Sequence, residues 1–506
     1  MISLSQNSLF HNNIIIPFIN QLNTNPEKIA FCIEEEFYTY KKLKDEINKI
    51  RQEIKNNNPE KKPIGLMTND DLTTYASIWA IWIEGYSYVP IHPKQPKERN
   101  LEIIELAKCS LLLNSKDESI SLSISTLFTS LIDNCSNELS INEVSDLDIA
   151  YILFTSGSTG EPKGVPISRA NVSSFVDSFL SVGFKLSSDD RFLQSFDLTF
   201  DVSVQCFIIP LIFGASIYTI PHHCIKYSYV YGLLEDHKIT FATMAPSMVR
   251  YLQPYFDELN LTELKYSILT AEASVTALVD DWSKCIPNAK IYNFYGPTEA
   301  TIYCTYYEYQ SNYPNPEING ILTIGQPMKG ITSLLIDDNN QPVSESQKGE
   351  LCISGSQVTE GYLTNSEKNK SSFIELLIDG INRRFYKTGD ICFLEQGQLM
   401  YIGRADHQVK IQGYRVELSE IEFHVRQAIQ GKNAVAIPYQ HISQTTEIAL
   451  FVEDQTYDEM GIKQYLKQKL PTYMIPSKFI FQKEFPLNSN GKIDRKSLSL
   501  ELNSLK

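Results

Sequence analysis

The run Tyr151-Ile152-Leu153-Phe154, followed by Thr155-Ser156-Gly157-Ser158-Thr159-Gly160-Glu161-Pro162-Lys163-Gly164, constrains this chain more than any other stretch. Four apolar residues of β character bounded by turn formers read as a strand. The loop behind it gathers glycines, hydroxyl side chains and one lysine. Glycine admits left-handed dihedrals and close approach, so such a loop can set N–H groups, hydroxyls and an ammonium around a polyphosphate. The lysine precedes the last glycine, so the spacing is not that of a G-x-x-x-x-G-K-[ST] loop. A Gly/Ser-rich linker shares this composition, but Pro162 and Lys163 at fixed offsets behind a strand argue against one.

The surrounding sequence sets that loop in layers of helix and strand. Leu43, Ile47 and Ile50 recur at helical spacing, whereas Ile64–Met67, Ile239–Met244 and Tyr266–Leu269 read as short buried strands. Such alternation, from Phe37 onward, predicts α/β architecture with mostly parallel sheets. From about Thr323 the texture changes to strands with glycine turns, at 330–336 and 349–353, which predicts a β-rich subdomain. A further boundary falls near Gly403-Arg404-Ala405-Asp406. Beyond it, Gln408–Ile411 reads as a strand, and Leu418, Ile421, Val425 and Ile429 share one helix face.

The formal charge of −15 argues against general nucleic-acid binding, which needs a basic footprint. The nine cysteines are scattered, odd in number and without a C-x-x-C pair, so neither a disulfide framework nor a zinc ribbon is indicated. His222-His223-Cys224 is the one dense group of possible metal ligands. Adjacent residues rarely converge on one ion, so a surface turn is expected there. The longest apolar run, Cys206 to Ile220, is broken by Pro210 and Gly214 and falls short of a membrane span. Met1–Gln6 shows no basic n-region and no cleavage site, so a cytoplasmic setting is expected.

Eight segments, in order, carry a resemblance. Besides 155–164 they are FDVSV (200–204), NFYGPTEAT (293–301), GELCISGSQVTEGYL (349–363), YKTGD (386–390), GRADHQVKIQGYRVELSEIE (403–422), LPTYMIP (470–476) and PLNSNGKIDR (486–495). Along its full length the chain resembles the adenylate-forming superfamily, and within it the amino-acid adenylation enzymes that load carrier proteins. The resemblance implies an N-terminal core, residues 1–402, of two α/β subdomains plus a β subdomain. A small mobile α+β C-terminal domain, 403–506, follows, with a hinge near Asp406. The activity implied is ATP-dependent formation of an aminoacyl-AMP, with Mg²⁺, and transfer to the phosphopantetheine thiol of a separate holo carrier protein.

Each segment suits that chemistry. Attack of a carboxylate on the α-phosphorus, with pyrophosphate leaving, requires neutralised phosphate charge and an aligned nucleophile. Thr155, Ser156, Ser158 and Thr159, on a backbone freed by Gly157 and Gly160, are expected with Lys163 to hold the β- and γ-phosphates. By resemblance, Asn293 and Gly296 belong to the ATP site, Tyr295 stacks on adenine and Thr298 reaches the α-phosphate. Glu299 is the implied Mg²⁺ ligand, a hard oxygen of the kind that ion prefers. Asp390 is placed on the ribose hydroxyls with Arg404 assisting. Arg415 is compatible with a phosphate contact or a structural role. Lys492 is the implied catalytic lysine, bridging carboxylate and α-phosphate as negative charge grows in the transition state. Asp406 is the implied hinge, a position whose dihedrals can absorb a domain rotation.

Asp201 lies among Phe200, Val202 and Phe207. A carboxylate in such surroundings is costly unless it meets a cation, and the α-ammonium of an amino acid would be one. Asp197, in a similar Phe-Asp setting, competes for that role, but the distance to Pro210-Leu211 and Gly214 favours Asp201. The rest of the implied pocket is Val202, Gln205, Thr243, Ile268, Thr270, Phe294, Ile302 and Tyr303. No further charge lies among them, so an uncharged side chain is expected. Phe294 and Tyr303 are bulky, which favours a compact one. The Asp-Val-Gln beginning resembles proline-activating pockets, whereas overall length and the YKTGD and GYRVEL segments resemble stand-alone D-alanine:carrier-protein ligases. The latter usually have Leu and Met at positions 202 and 205. A CoA ligase of the same superfamily is the alternative, and Asp201 argues against it. A scaffold without catalysis would be expected to have lost Lys492, Glu299 or Asp390. Thr270-Ala271-Glu272-Ala273 departs from the usual Gly-Gly-Glu. A basic docking patch is expected around Lys410, Lys463, Lys467 and Lys469.

Overall fold

The computed structural model describes residues 8–504 except 59, 118–123, 133–141, 143, 158–160, 407, 431, 442–443, 454–457 and 488–492. The chain divides into two units. The first takes in residues 1–93, 104–153 and 164–405; the second takes in 94–103, 154–163 and 406–506.

Two α/β layers and a β layer make up the first unit. A six-stranded sheet runs in the order Ser125–Phe128, Leu111–Asn114, Ile64–Met67, Tyr88–Ile91, Ile149–Thr155, Lys163–Ser168. Its neighbours up to Ile149–Thr155 pair in parallel, which requires crossover helices. Leu72–Ile83 supplies one; Asp71 caps it by accepting from the Thr74 N–H, and its residues are buried on all sides. The apolar stripe of Leu43, Ile47, Ile50 and Ile54 lies buried on the helix Tyr40–Asn57, capped by Thr39. A nine-stranded sheet has a parallel centre, Ile29–Ile33, Ser216–Thr219, Arg191–Gln194, Phe241–Met244, Tyr266–Leu269 and Lys290–Tyr295. Antiparallel strands close both edges. The apolar run that opens at Cys206 belongs to a core helix, Asp201–Phe213, ended by Gly214, and to the strand Ser216–Thr219. Among the described residues no helix is long and apolar enough to cross a membrane. The third sheet, with Ile331–Ile336, Gly349–Gly355, Phe373–Ile378, Ile381–Glu395 and Gln398–Arg404, is antiparallel throughout.

In the second unit the hairpin Gln408–Ile411/Tyr414–Glu417 leads into the helix Leu418–Ala428. Ile421 and Val425 of that helix pack with Val416, Leu450, Leu466 and Met474 in one core. The sheet Ala434–Gln440, Thr446–Val452, Lys478–Phe481 buries Val435, Ile437 and Phe451 against Leu498 and Leu502 of the helix Arg495–Ser504.

Candidate active site

Strand Lys290–Tyr295 carries Asn293 and Tyr295 to the C-terminal edge of the parallel sheet, where open α/β sheets bind ligands. Asn293 is fixed at both ends: Ser274 Oγ donates to its Oδ1 at 2.8 Å, and its Nδ2 donates to the Thr323 carbonyl at 2.8 Å. The Tyr295 hydroxyl donates to Asp390 Oδ2 at 2.5 Å, and Arg404 Nη1 donates to Asp390 Oδ1 at 2.8 Å. Burial and the Asp390 charge push the Tyr295 hydroxyl well above its ordinary range, so it stays a donor. Asp390 is thus held between a phenol and a guanidinium.

Beyond Tyr295 the backbone turns tightly. A Cβ on Gly296 would stand 2.3 Å from the Ile302 carbonyl oxygen and 2.7 Å from Tyr303 Cα, so only glycine fits. Thr298–Ala300 is a 3₁₀ turn, and Thr301 and Ile302 follow at φ 55° and 74°. Left-handed dihedrals at two consecutive β-branched residues cost about 1–3 kcal/mol each and persist only where neighbours over-determine them. Gln357 does so. Its Nε2 donates to the carbonyls of Ala300, Thr301 and Tyr303 at 3.2, 3.3 and 2.7 Å, and Thr301 Oγ1 donates to its carbonyl. The turn aims the Glu299 carboxylate inward, 1% exposed, where Tyr362 Oη donates to Oε1 at 2.6 Å. Thr298 is half-buried beside it.

Asp201 is the first residue of its helix and 7% exposed. A helix N-terminus favours a carboxylate. The hydroxyls of Tyr151 and Tyr303 are pushed well above their ordinary values by burial, and the Asp201 charge adds to both shifts. Asp197, the competing acid, sits 3.1 Å from Lys226 Nζ and so has a lysine as its cation. Val202, Gln205, Thr243, Ile268, Thr270, Phe294, Ile302 and Tyr303 are all buried. Phe294 and Tyr303 rings lie 4.9 Å apart, with Phe179 beside both. Gln205 Oε1 accepts from Thr243 Oγ1 at 3.2 Å, while its Nε2 is buried with no hydrogen-bond partner among the described residues. Ala271 has φ 69°, a conformation that glycine would adopt without strain.

The glycine loop belongs to the second unit. Thr155 ends one strand and Lys163 opens the next. At Gly157 a Cβ would stand 1.8 Å from the Glu161 carbonyl oxygen. Among the described residues of the loop, Ser156, Gly157 and Lys163 meet acceptors from the hairpin and helix 408–428. Lys163 Nζ is 3.2 Å from Glu417 Oε1, and the Gly157 N–H donates to Glu420 Oε2 at 3.0 Å. Ser156 Oγ donates to the Arg415 carbonyl at 2.9 Å and accepts from the Glu417 N–H. Arg99 completes the cluster, 2.6 Å from Glu420 Oε1, and burial raises the Glu420 carboxyl above its ordinary value. Two of the loop's donors are thus taken up by carboxyl groups, Lys163 by Glu417 and Gly157 by Glu420. Arg415 itself donates from Nε to Gln408 Oε1 at 2.8 Å. Asp406 is exposed and accepts from the Gln408 N–H. Ser158, Thr159, Gly160 and Lys492 lie outside the described residues.

Sequence reasoning missed Gln357, Tyr362, Glu417 and Glu420 as partners of the site, although all four lie in the segments that carried the resemblance. It also expected a basic patch. Lys463 lies 3.7 Å from Glu459, and Lys469 pairs with Glu98, so those two charges are compensated.

A buried-acid pocket, a tyrosine-bound aspartate and a strained turn presenting a glutamate, all on one parallel sheet and its β-rich neighbour, describe a nucleotide-dependent ligase of the adenylating class. Residues 18–363 match the model of the AMP-binding enzyme family. The chain belongs to that family, within the adenylate-forming superfamily. It is 31% identical to D-alanine--D-alanyl carrier protein ligase of Bacillus licheniformis, covering 95% of this chain and 97% of that protein. It is also 32% identical to part of a linear gramicidin synthase of Brevibacillus parabrevis, covering 96% of this chain but spanning only 9% of that longer relative. In fold it matches the Vibrio cholerae adenylation domain AlmE, solved with glycyl-adenosine-5'-phosphate. There the TM-score is 0.85 and the identity 23%, covering 100% of this chain and 99% of that one.

Proposed function

We propose that this chain activates an amino acid with ATP and passes it to the phosphopantetheine thiol of a separate holo carrier protein. The carboxylate oxygen of the amino acid attacks the α-phosphorus, the bond to the bridging oxygen breaks, and pyrophosphate leaves. The carrier's thiolate then attacks the acyl carbon of the mixed anhydride and AMP departs.

The observation that carries this reading is Asp201: a buried carboxylate at a helix start, beside the pocket residues Val202, Gln205, Phe294 and Tyr303. An α-ammonium is a cation that such a carboxylate can bind; a fatty or aryl acid brings none. The pairing of Asp197 with Lys226 removes the rival acid from that role. Relatives named as carrier-protein ligases, across nearly their full length, support the same reading. Crowding by Phe294 and Tyr303 favours a compact uncharged amino acid, such as proline or D-alanine.

For the nucleotide, Tyr295 would stack on adenine. Asp390 would accept from the ribose hydroxyls, with Arg404 beside it, and Asn293 and Gly296 would shape the strand end. Thr298 would reach the α-phosphate, the 155–164 loop with Lys163 would hold the β- and γ-phosphates, and Lys492 would bridge carboxylate and α-phosphate. The Glu299 carboxylate, an all-oxygen donor oriented by Tyr362, fits Mg²⁺, as a ligand fixed by an outer hydrogen bond does. Bound there, Mg²⁺ would offset the negative charge of the phosphates. Residues 1–402 would form the adenylating core and 403–506 a mobile lid hinged at Asp406. Cytoplasm, where ATP and carrier proteins meet, is the proposed setting.

Amino-acid-dependent pyrophosphate exchange over a panel of L- and D-amino acids tests the reading. One or a few compact substrates should exchange. No exchange with any amino acid, together with CoA-thioester formation from an organic acid, would overturn it.

A further inference from the structure

His92, Asp197 and His222 come from three loops, each beyond the C-terminal end of a parallel strand. His92 directly follows Tyr88–Ile91 of the six-stranded sheet. Asp197 and His222 follow Arg191–Gln194 and Ser216–Thr219 of the nine-stranded sheet. One ligand-type atom from each of the three side chains lies within 4.8 Å of the others, and the two imidazole rings are 5.2 Å apart. All three residues are half-buried. His222 and His223 form a turn, as expected, with His223 exposed and His222 half-buried. The companions of His222 are distant in sequence.

The hydrogen bonding of His222 prepares it as a ligand. Its Nε2 lies 2.9 Å from the Thr68 carbonyl oxygen. A carbonyl only accepts, so Nε2 carries a proton, and Nδ1 is the nitrogen through which the ring would ligate. Donation of the second ring nitrogen to a backbone carbonyl is how metal-binding histidines are oriented. The surroundings also favour added positive charge. Asp70, which accepts from Tyr75 Oη at 2.9 Å, is a further acid whose charge acts on both His222 and Asp197. Lys226 already brings an ammonium to Asp197 from a partly exposed position.

We propose that His92, Asp197 and His222 form a binding site for a divalent cation of the zinc class, one that clips a loop of one sheet to two loops of the other. Two imidazoles and one carboxylate suit a borderline ion and not Mg²⁺ or Ca²⁺, which take oxygen sets. Bonds of about 2.0–2.2 Å to a tetrahedral ion put neighbouring donors about 3.4 Å apart, a closure that small side-chain rotations supply. Lys226 is the ammonium that the metal displaces, and its head can return to water.

Metal-stripped protein titrated with ZnCl₂ against a chromophoric chelator, with MgCl₂ as control, tests this. One equivalent of Zn²⁺ should bind with a dissociation constant at or below the micromolar range and raise Tm, as binding to the folded state alone requires. His92→Ala and His222→Ala should each weaken binding at least tenfold, and Lys226→Ala should tighten it. Co²⁺ should give visible bands of mixed nitrogen and oxygen ligation, lost in the histidine variants. A second group, Cys32, Glu35 and His237, could also take zinc, although burial pushes the Cys32 thiol up to about 11. Cys32→Ser should leave the titration unchanged. Absence of stoichiometric binding, binding that survives the double histidine variant, or loss of binding on Cys32→Ser would overturn the proposal. Should the double variant fail to fold, unchanged affinity in Lys226→Ala would do so.

Discussion

The Asp390 cluster of the first unit and the glycine loop of the second solve opposite electrostatic problems. Asp390 is an acid held by donors, Tyr295 and Arg404. A carboxylate offers about four acceptor sites, so two hydroxyls can be added without displacing either donor. The loop is a set of donors held by acids, Glu417 on Lys163 and Glu420 on Gly157. An N–H pointed at one carboxylate oxygen has nothing left for a phosphate. On the proposed reading a ribose would join the first cluster, whereas a polyphosphate would have to evict partners from the second. One region would be preorganised for its ligand, the other for exchange.

The largest expected effect tests whether the charge delivered to the phosphates is separate from both clusters. Lys492→Ala should lower amino-acid-dependent pyrophosphate exchange by about 10²–10³-fold or more, the scale of removing a donor aimed at developing charge. Transfer from a preformed adenylate to a holo carrier should persist. Equal loss of both half-reactions would defeat the assignment. Asp201→Asn comes next. Removing one member of a buried ion pair costs about 3–5 kcal/mol, so kcat/KM for the amino acid should fall at least about 100-fold. The KM for ATP should barely move, since neither cluster contains this residue. A matching rise in both KM values would mean that Asp201 shapes the whole site.

Much of this frame was readable in the sequence because local pattern and tertiary role agreed. Leu43, Ile47, Ile50 and Ile54 announce a helix face, and Ile64–Met67 and Tyr266–Leu269 are strands with the expected bounds. At Ile239-Thr240 the β pattern begins early: the strand opens at Phe241, while the Thr240 hydroxyl donates to Asp190 and accepts from the Arg191 N–H. What sequence could not supply was partnership across distance. Gln357 looks like any polar residue in a β-rich stretch, yet it braces a strained turn around residue 301. Glu417 and Glu420 read as acids at the start of an amphipathic helix, where a helix dipole alone would explain them. Asp197 and Asp201 share a Phe-Asp setting; spacing to Pro210 and Gly214 favours Asp201, and the lysine beside Asp197 is visible only in the structure. His222 was judged by its neighbours in the chain, and its neighbours in space are His92 and Asp197.

Glu417→Gln sharpens the comparison from the loop side. The variant keeps the side-chain size but takes the negative charge from Lys163. If phosphate binding must displace this carboxylate, the KM for ATP should fall about three- to tenfold, or about 0.7–1.4 kcal/mol, the difference between a charged and a neutral hydrogen bond. A higher KM for ATP would instead make Glu417 a group that positions Lys163 for phosphate. Ala271→Gly probes residual strain in the first unit. Its φ of 69° costs a non-glycine residue about 1–2 kcal/mol, and glycine returns about 0.5–1 of that through the freer unfolded chain. The net gain should raise Tm by about 1 °C in calorimetry, with no change in KM for ATP. A lower Tm would show that the alanine methyl makes a contact worth more than the strain.

The smallest effect concerns pH. Burial raises the Glu420 carboxyl in the folded enzyme above its value in the unfolded chain, against the opposing pull of Arg99. Between the unfolded and folded values the native state keeps a proton that the unfolded chain has released. This contribution to stability is therefore complete below the unfolded value and is lost as pH rises through the folded one. Glu420→Gln carries no such titration. The Tm difference between wild type and Glu420→Gln should accordingly favour wild type more in mildly acidic buffer than at pH 8. A difference that grew with rising pH would mean that Glu420 is ionised throughout, and that Arg99 and the Gly157 N–H, not burial, set its state. The loop would then rest on a full carboxylate, an acid held by donors as Asp390 is held by Tyr295 and Arg404.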